Sequence, residues 1–142
     1  TNDLKCISRI YGYVSINTTG LLYNDSNESC DIKGSVKYLS CAEIRMFATD
    51  KRLHKRHNPY VKYSDMIFST LLQNLYEMST KVIGFQAIYL NANSMGYKLY
   101  KDHGFDEITE FLPSTEENKI NIDGCIPLLL VINDEAIYNM FA

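Results

Sequence analysis

Between residues 35 and 90, two strand-like runs enclose one amphipathic helix, and this pattern limits the possible folds more than any other. In SVKYLSCAEIRMFATD (35–50), Val36, Tyr38, Ala42, Ile44, Met46 and Ala48 alternate onto one face, the period-2 signature of a strand. From about Ser64 to Met78, Ile67, Leu71, Leu75 and Met78 recur at helical spacing, and Ser64 is a fitting N-cap. VIGFQAIYL (82–90) is apolar nearly throughout, as befits a central strand covered on both faces. Strand, helix and strand in that order imply two parallel neighbours joined by a right-handed crossover.

The flanking segments extend this unit. ISRIYGYVSI (7–16) reads as a strand, and the polar stretch 17–34 as a loop punctuated by Gly and Asn. The basic segment 51–63 is irregular, because Pro59 opposes a helix through it. A short helix is expected over about 94–103, closed by Gly104 in a left-handed cap with Phe105 folding back onto it. Short strands at about 106–111 and 126–132 follow, separated by an acidic loop. The final pair suggests an antiparallel hairpin. The expected class is therefore α/β (α+β), a mixed central sheet with helices on both faces.

Composition narrows the function. The chain has 142 residues, the length of one domain (1–142), and folding should bury roughly two-thirds of its unfolded surface. The longest apolar run, 126–132, is too short to span a bilayer, and the start does not read as a signal peptide. The formal net charge of -3 disfavours a general nucleic-acid surface, yet five of the 14 Lys/Arg residues fall between 51 and 62. The four cysteines are widely spaced without a CxxC pair, so zinc and thioredoxin-type chemistry are not expected. Cys41 and Cys125 read as buried thiols and the compartment as cytoplasmic. No metal-ligand spacing and no Ser-His-Asp pattern is present.

One stretch carries a family resemblance. Asn93-x-x-Gly96-x-x-Leu99-Tyr100-x-x-x-Gly104-Phe105 resembles the N-x-x-A-x-x-L-Y-x-x-x-G-F signature of the GNAT superfamily of acyl-CoA-dependent N-acetyltransferases, with glycine in the alanine position. VIGFQAIYL and the helix at 64–78 are similar to that family's fifth strand and third helix, and EIRMFATD (43–50) to the end of its fourth strand. The run IGFQAIYLNAN followed by KLYKDHGF is similar to a small subgroup that includes toxin-type acetyltransferases. Two departures stand out. No glycine occurs between Asp50 and Gly84, where the family's acetyl-CoA loop is glycine-rich, and the family's N-terminal strand–helix–helix unit is missing ahead of 7–16, as in an N-terminally truncated domain.

The resemblance implies acetyl-CoA as cosubstrate, lying between two parallel strands that splay apart, with its pantetheine arm hydrogen-bonded like an extra strand. Met46, Phe47 and Ala48 then offer backbone groups to that arm. The diphosphate falls at the start of the 64–78 helix, near Ser64, Asp65 and Met66, where unpaired N–H groups favour anions. Asp65 is awkward beside a phosphate; Lys62, Lys55, Arg56, His54 and His57 compensate its charge. Asn93 and Gly96 border the arm, and Gly96 leaves it room. Tyr100 shares their helix face and, as a neutral phenol at pH 7, has a proton to give a departing thiolate. Glu43 is the candidate general base, although such a strand carboxylate more often serves in an ion pair.

Three functions compete at this level. The first is N-acetylation of a small-molecule or peptide amine, for which the acidic loop residues Glu107, Glu110, Glu116, Glu117 and Asp123 suit a cationic acceptor. The second is a toxin-type enzyme that acetylates aminoacyl-tRNA, which requires a basic surface. The third is a non-catalytic interaction module. A homodimer is compatible with each, and a membrane partner with none.

Overall fold

The computed structural model describes residues 10–24, 36–54, 62–112 and 124–133. Among the described residues five strands and two α-helices run in the order β1 (Gly12–Asn24), β2 (Val36–Thr49), α1 (Tyr63–Lys81), β3 (Ala87–Ala92), α2 (Tyr97–Asp102), β4 (Asp106–Glu107) and β5 (Ile126–Val131). The sheet order is β1-β2-β3-β5-β4. β2 and β3 are parallel, as the strand–helix–strand pattern requires, and the other neighbours are antiparallel. The mixed sheet is thus as expected. Among the described residues no element precedes β1.

β1 departs from its predicted bounds. It continues through Asn17–Asn24, read above as loop, because each of those residues has a partner on β2 down to Asn24 opposite Val36. Ladder pairing overrides the turn-like composition of NTTG. Tyr38 explains Gly20. Its ring lies over that glycine so closely that a Cβ there would sit 1.9 Å from the ring.

β2 contains the feature that shapes the molecule. Ser15 pairs with Met46 but Ile16 pairs with Ile44, so Arg45 is an extra residue, a β-bulge. The bulge exchanges the faces of everything beyond it. Ala42 and Ile44 pack toward α1, yet the next side chain on that side is Phe47, while Met46 is 58% exposed. The uninterrupted alternation expected from Val36 to Ala48 therefore fails. An unbroken alternation would put Glu43 on the Phe47 face; the bulge leaves it on the opposite one.

α1 begins one residue earlier and ends three later than expected. Lys62 occupies the cap position, not Ser64. Its buried stripe is Phe68, Leu72 and Leu75, one residue out of phase with Ile67 and Leu71, and Met78 is exposed. Both stripes are apolar, and contact with the sheet selects one. Phe68, Leu72 and Leu75 join Ala42, Ile44, Ile88, Leu90, Phe105, Leu128 and Leu130 in the main core. A second cluster on the other face holds Leu21, Cys41, Ala87, Tyr89, Ile108 and Leu112. Among the described residues both α-helices pack on one face. The other is covered by the segment containing the 3-10 turn Thr109–Phe111, which replaces most of the strand expected at 106–111.

β3 starts at Ala87, not at residue 82, because Val82 and Ile83 form the exit from α1 and are exposed. It is central, with Ile88 and Leu90 in one core and Ala87 and Tyr89 in the other. α2 closes as predicted. Gly104 has φ +90, its N–H donates to the Lys101 carbonyl, and the Phe105 N–H donates to the Tyr100 carbonyl at 3.2 Å. Phe105 is buried and its ring meets that of Tyr100. Cys41 is buried, which pushes its thiol up to about 11, whereas Cys125 is only partly covered. No helix among the described residues is long and apolar enough to cross a membrane.

Candidate active site

The two parallel strands pair only over Cys41–Ile44 and Ala87–Leu90. Beyond that point β2 runs on to Thr49 beside β1, and β3 runs on to Ala92 beside β5. They separate at the residue where the bulge begins. An extra residue on one strand bends it, and here it bends β2 away from β3. The facing edges of 45–49 and 91–92 carry backbone groups with no partner across the gap. Met46, Phe47 and Ala48 line its β2 side.

An aromatic cluster sits beside this gap. Phe68, fully buried, meets Phe47 at 5.1 Å, Tyr100 at 5.2 Å and His103 at 5.0 Å between ring centroids. One phenyl ring therefore bridges the splayed part of β2 and the α2 tyrosine. Burial pushes the Tyr100 phenol above its ordinary value of 10.0, so it is protonated at neutral pH. Gly96 adjoins it: a Cβ there would lie 2.7 Å from Tyr100 Cε2 and 3.1 Å from its Oη. The space expected for a ligand arm is thus occupied by the tyrosine's own ring. Asn93 is likewise engaged. Its Oδ1 accepts the Gly96 N–H at 2.9 Å and its carbonyl accepts the Tyr97 N–H, capping the turn that leads into α2. The helix proper is shorter than the expected 94–103 for this reason.

At the start of α1, the first helical bond runs from Met66 N–H to the Lys62 carbonyl. Met66 is therefore not a free donor. The N–H groups without an intrahelical acceptor are those of Tyr63, Ser64 and Asp65. The Ser64 hydroxyl bonds Thr49 Oγ1 at 3.2 Å, which ties this helix end to the end of β2. Lys98 bonds Asp102 at 2.7 Å, and its charge is held on first by Asp102 and also by Asp65. Asp102 is pulled below the usual carboxylate range by Lys98 first, with Lys62 and His103 adding to the effect. Lys62 and Lys98 thus flank the helix start. His54 is exposed at the end of a 3-10 turn (Lys51–Leu53), while Lys55, Arg56 and His57 lie outside the described residues. That turn is capped by Asp50, whose carboxyl Arg52 holds down at about 2.

Glu43 contacts Arg45 Nε at 3.7 Å, the ion pair weighed above. The structure does not bring Glu43 and Tyr100 together, since they lie on opposite faces of the sheet. The Glu43 face also carries Tyr13, Met46 and Ala48, all exposed, because Tyr13 pairs with Ala48 and Ser15 with Met46. The exposed Tyr11 ring lies under the Arg52 guanidinium at 5.9 Å.

Sequence reasoning missed Phe68 and His103. The His103 Nδ1 lies 2.8 Å from the Leu99 carbonyl, which can only accept, so Nδ1 carries the proton. In the neutral ring Nε2 then accepts from the Ser69 hydroxyl at 3.2 Å, which links α2 to α1. The only available signal was position, since His103 stands three residues after Tyr100 and so on the same side of a helix. A cavity of about 970 Å³ opens beside Ser69, His103, Ile108 and Leu129; the predicted site residues do not line it. A gap between diverging strands is an open groove and not an enclosed pocket.

Solved structures share this fold. A bacterial toxin superposes with TM-score 0.63 over 92% of this chain and 64% of its own, at 16% identity. AtaTR bound with AcCoA gives TM-score 0.56 at 16% identity, covering 93% of this chain and 66% of that one. The fold is GNAT-like. AtaT complexed with acetyl-methionyl-tRNAfMet gives TM-score 0.55 at 15% identity, covering 93% and 67%. At these identities the likeness is one of GNAT-like architecture, and the chain spans about two-thirds of the length of each. No family model and no curated protein matches the sequence significantly.

Proposed function

We propose that this chain is an N-acetyltransferase that uses acetyl-CoA, and the observation carrying the reading is the divergence of β2 and β3 after Ile44 and Leu90. An amide-bearing arm fits between strand edges that lack partners, as an added strand does. Met46, Phe47 and Ala48 would hold it through their backbones. The first-turn N–H groups of Ser64 and Asp65, with Lys62 and Lys98 alongside, suit a diphosphate. The AcCoA complex of a protein with the same fold supports this assignment.

When bound, acetyl-CoA supplies a thioester carbonyl open to attack by an amine. Tyr100 keeps its proton at neutral pH and gives it to the leaving thiolate; the phenolate is then reprotonated from solvent. A backbone N–H on the unpaired β2 edge steadies the developing oxyanion, a contribution of about 3 kcal/mol where one such donor has been removed from an enzyme. Glu43 lies across the sheet from Tyr100, on the face where the exposed Tyr13 and Met46 leave access for an acceptor, and it receives the amine proton through water.

One observation favours aminoacyl-tRNA as a second reading of the acceptor. The exposed Tyr11, with the Arg52 guanidinium over its ring, and the exposed Tyr13 two residues on offer aromatic faces suited to stacking unpaired bases. The tRNA complex of AtaT supports it. Calorimetry with acetyl-CoA tests the shared premise. Micromolar binding is expected, and absence of heat at millimolar ligand would leave a non-catalytic module. Retention on immobilised tRNA at physiological salt separates the two acceptors.

A further inference from the structure

The imidazole of His103 ties the end of α2 to the middle of α1. α2 is six residues long, so the carbonyls of its last turn depend on partners beyond it. The His103 N–H turns to the Tyr100 carbonyl at 3.1 Å, three residues back, and not to Leu99, four back. Nδ1–H of the same residue donates to the Leu99 carbonyl instead, at 2.8 Å, and this folds the ring over the last turn. From there Nε2 meets the Ser69 hydroxyl on α1 at 3.2 Å. Phe68, the residue before Ser69, carries both rings of α2: its centroid lies 5.0 Å from that of His103 and 5.2 Å from that of Tyr100. Apolar contact has no direction, so rings alone let one helix slide on the other. A hydrogen bond does have direction, and this one lies a single residue from the Phe68 platform.

We propose that Ser69 and His103 are positioning residues for Tyr100: their hydrogen bond latches α2 to α1 and so fixes where the Tyr100 hydroxyl stands beside the gap between β2 and β3. The effect on turnover rests on Tyr100 being the proton donor; the latch itself does not. His103 has no free ring nitrogen to offer a substrate, because Nδ1 donates to a carbonyl and Nε2 accepts from a hydroxyl. It acts through Phe68 and Tyr100. Ser69→Ala isolates the bond, since alanine is the better helix former and α1 keeps its backbone. Without the bond α2 turns on Phe68 and carries the phenol with it. A shift of about 1 Å costs on the order of 100-fold in rate, so roughly half that shift costs about tenfold.

Thiol release from acetyl-CoA, with ethanolamine as the probe acceptor, tests this in the unmodified chain, Ser69→Ala, Tyr100→Phe and the double variant. Thermal melts and NMR of ring-labelled tyrosine accompany it. Ser69→Ala should lower kcat about tenfold, hold the KM for acetyl-CoA within about twofold, keep the melting temperature within a few degrees and move the Tyr100 resonances. In the Tyr100→Phe background it should cost nothing further, because the hydroxyl that it positions is gone. His103→Asn keeps a donor for the Leu99 carbonyl but lacks Nε2, and should repeat the loss in kcat. Unmoved Tyr100 resonances in Ser69→Ala overturn the proposal. So does a loss that persists undiminished in Tyr100→Phe, or one that comes with a collapse of the melting temperature. A chain that releases no thiol counts against the catalytic reading alone; the Tyr100 resonances of Ser69→Ala, moved or unmoved, then decide the latch.

Discussion

Gly96→Ala isolates the contact that fixes Tyr100. Gly96 has φ -92 and ψ -17, a right-handed conformation that alanine adopts freely. Backbone preference alone would make the change stabilising by about 0.5–1 kcal/mol. The new methyl, however, would stand 2.7 Å from Tyr100 Cε2, well inside the ~3.5 Å of a carbon–carbon contact. The ring cannot yield inward, because the buried Phe68 and Phe105 back it. It must swing toward solvent, at a cost of about 0.5–1.5 kcal/mol for the displaced rotamer. The two terms nearly cancel, so the melting temperature should move by only a few degrees, about 4 °C or less. Catalysis does not share this cancellation. A proton donor displaced by about 1 Å costs on the order of 100-fold in kcat, with the KM for acetyl-CoA little changed. Steady-state thiol release, thermal melts and NMR of ring-labelled tyrosine measure the three quantities together. Unmoved Tyr100 resonances with an unmoved kcat would refute the steric argument, whatever the role of Tyr100.

Three other expectations follow from the same cluster and its surroundings. Tyr100→Phe should lower kcat by about 100-fold or more while leaving stability nearly unchanged; full turnover removes the general acid from the mechanism. For the proposed reaction, kcat of the unmodified chain should not fall between pH 7 and 9, because burial raises the phenol above 10.0. The folded state favours the neutral form, so the associated stability is complete below about pH 10 and disappears as pH climbs through the raised value. A kcat decline with an apparent pKa below 9 that Tyr100→Phe abolishes would contradict this. Phe68→Ala should cost about 3–5 kcal/mol in chemical denaturation, since the ring is fully buried and touches Phe47, Tyr100 and His103; a loss under 1 kcal/mol would mean the cluster collapses around the gap.

Local rules accounted for the elements whose signals are local. The cap at Gly104 needs a residue without a Cβ penalty at positive φ, and Phe105 folds back where such a cap directs it. The apolar run 82–90 is a covered strand only from Ala87 on, because Val82 and Ile83 belong to the exposed exit from α1, and the helix between two strands makes them parallel. Tyr100 was singled out by its place in a spaced motif, and it does stand beside Gly96 on one helix face. The stripe on α1 was harder, because Ile67 and Leu71 are as apolar as Phe68 and Leu72 and only the opposing sheet chooses between them.

Periodicity and the glycine cap at Gly104 pointed to a mixed sheet with its helices, because each depends on neighbours a few residues apart, while the Ser64 cap and the turn-like stretch 17–24 yielded to pairing and packing. The cleft arose otherwise. Arg45 becomes a bulge only when β1 pairs with β2, so no reading of β2 alone shows where it bends, that Phe47 turns inward, or that Met46 turns out. The same holds for Ser69 and His103, partners that are distant in the chain and meet only once α1 and α2 lie on one face. Contacts between remote segments are set by packing, and packing exists only in the folded molecule.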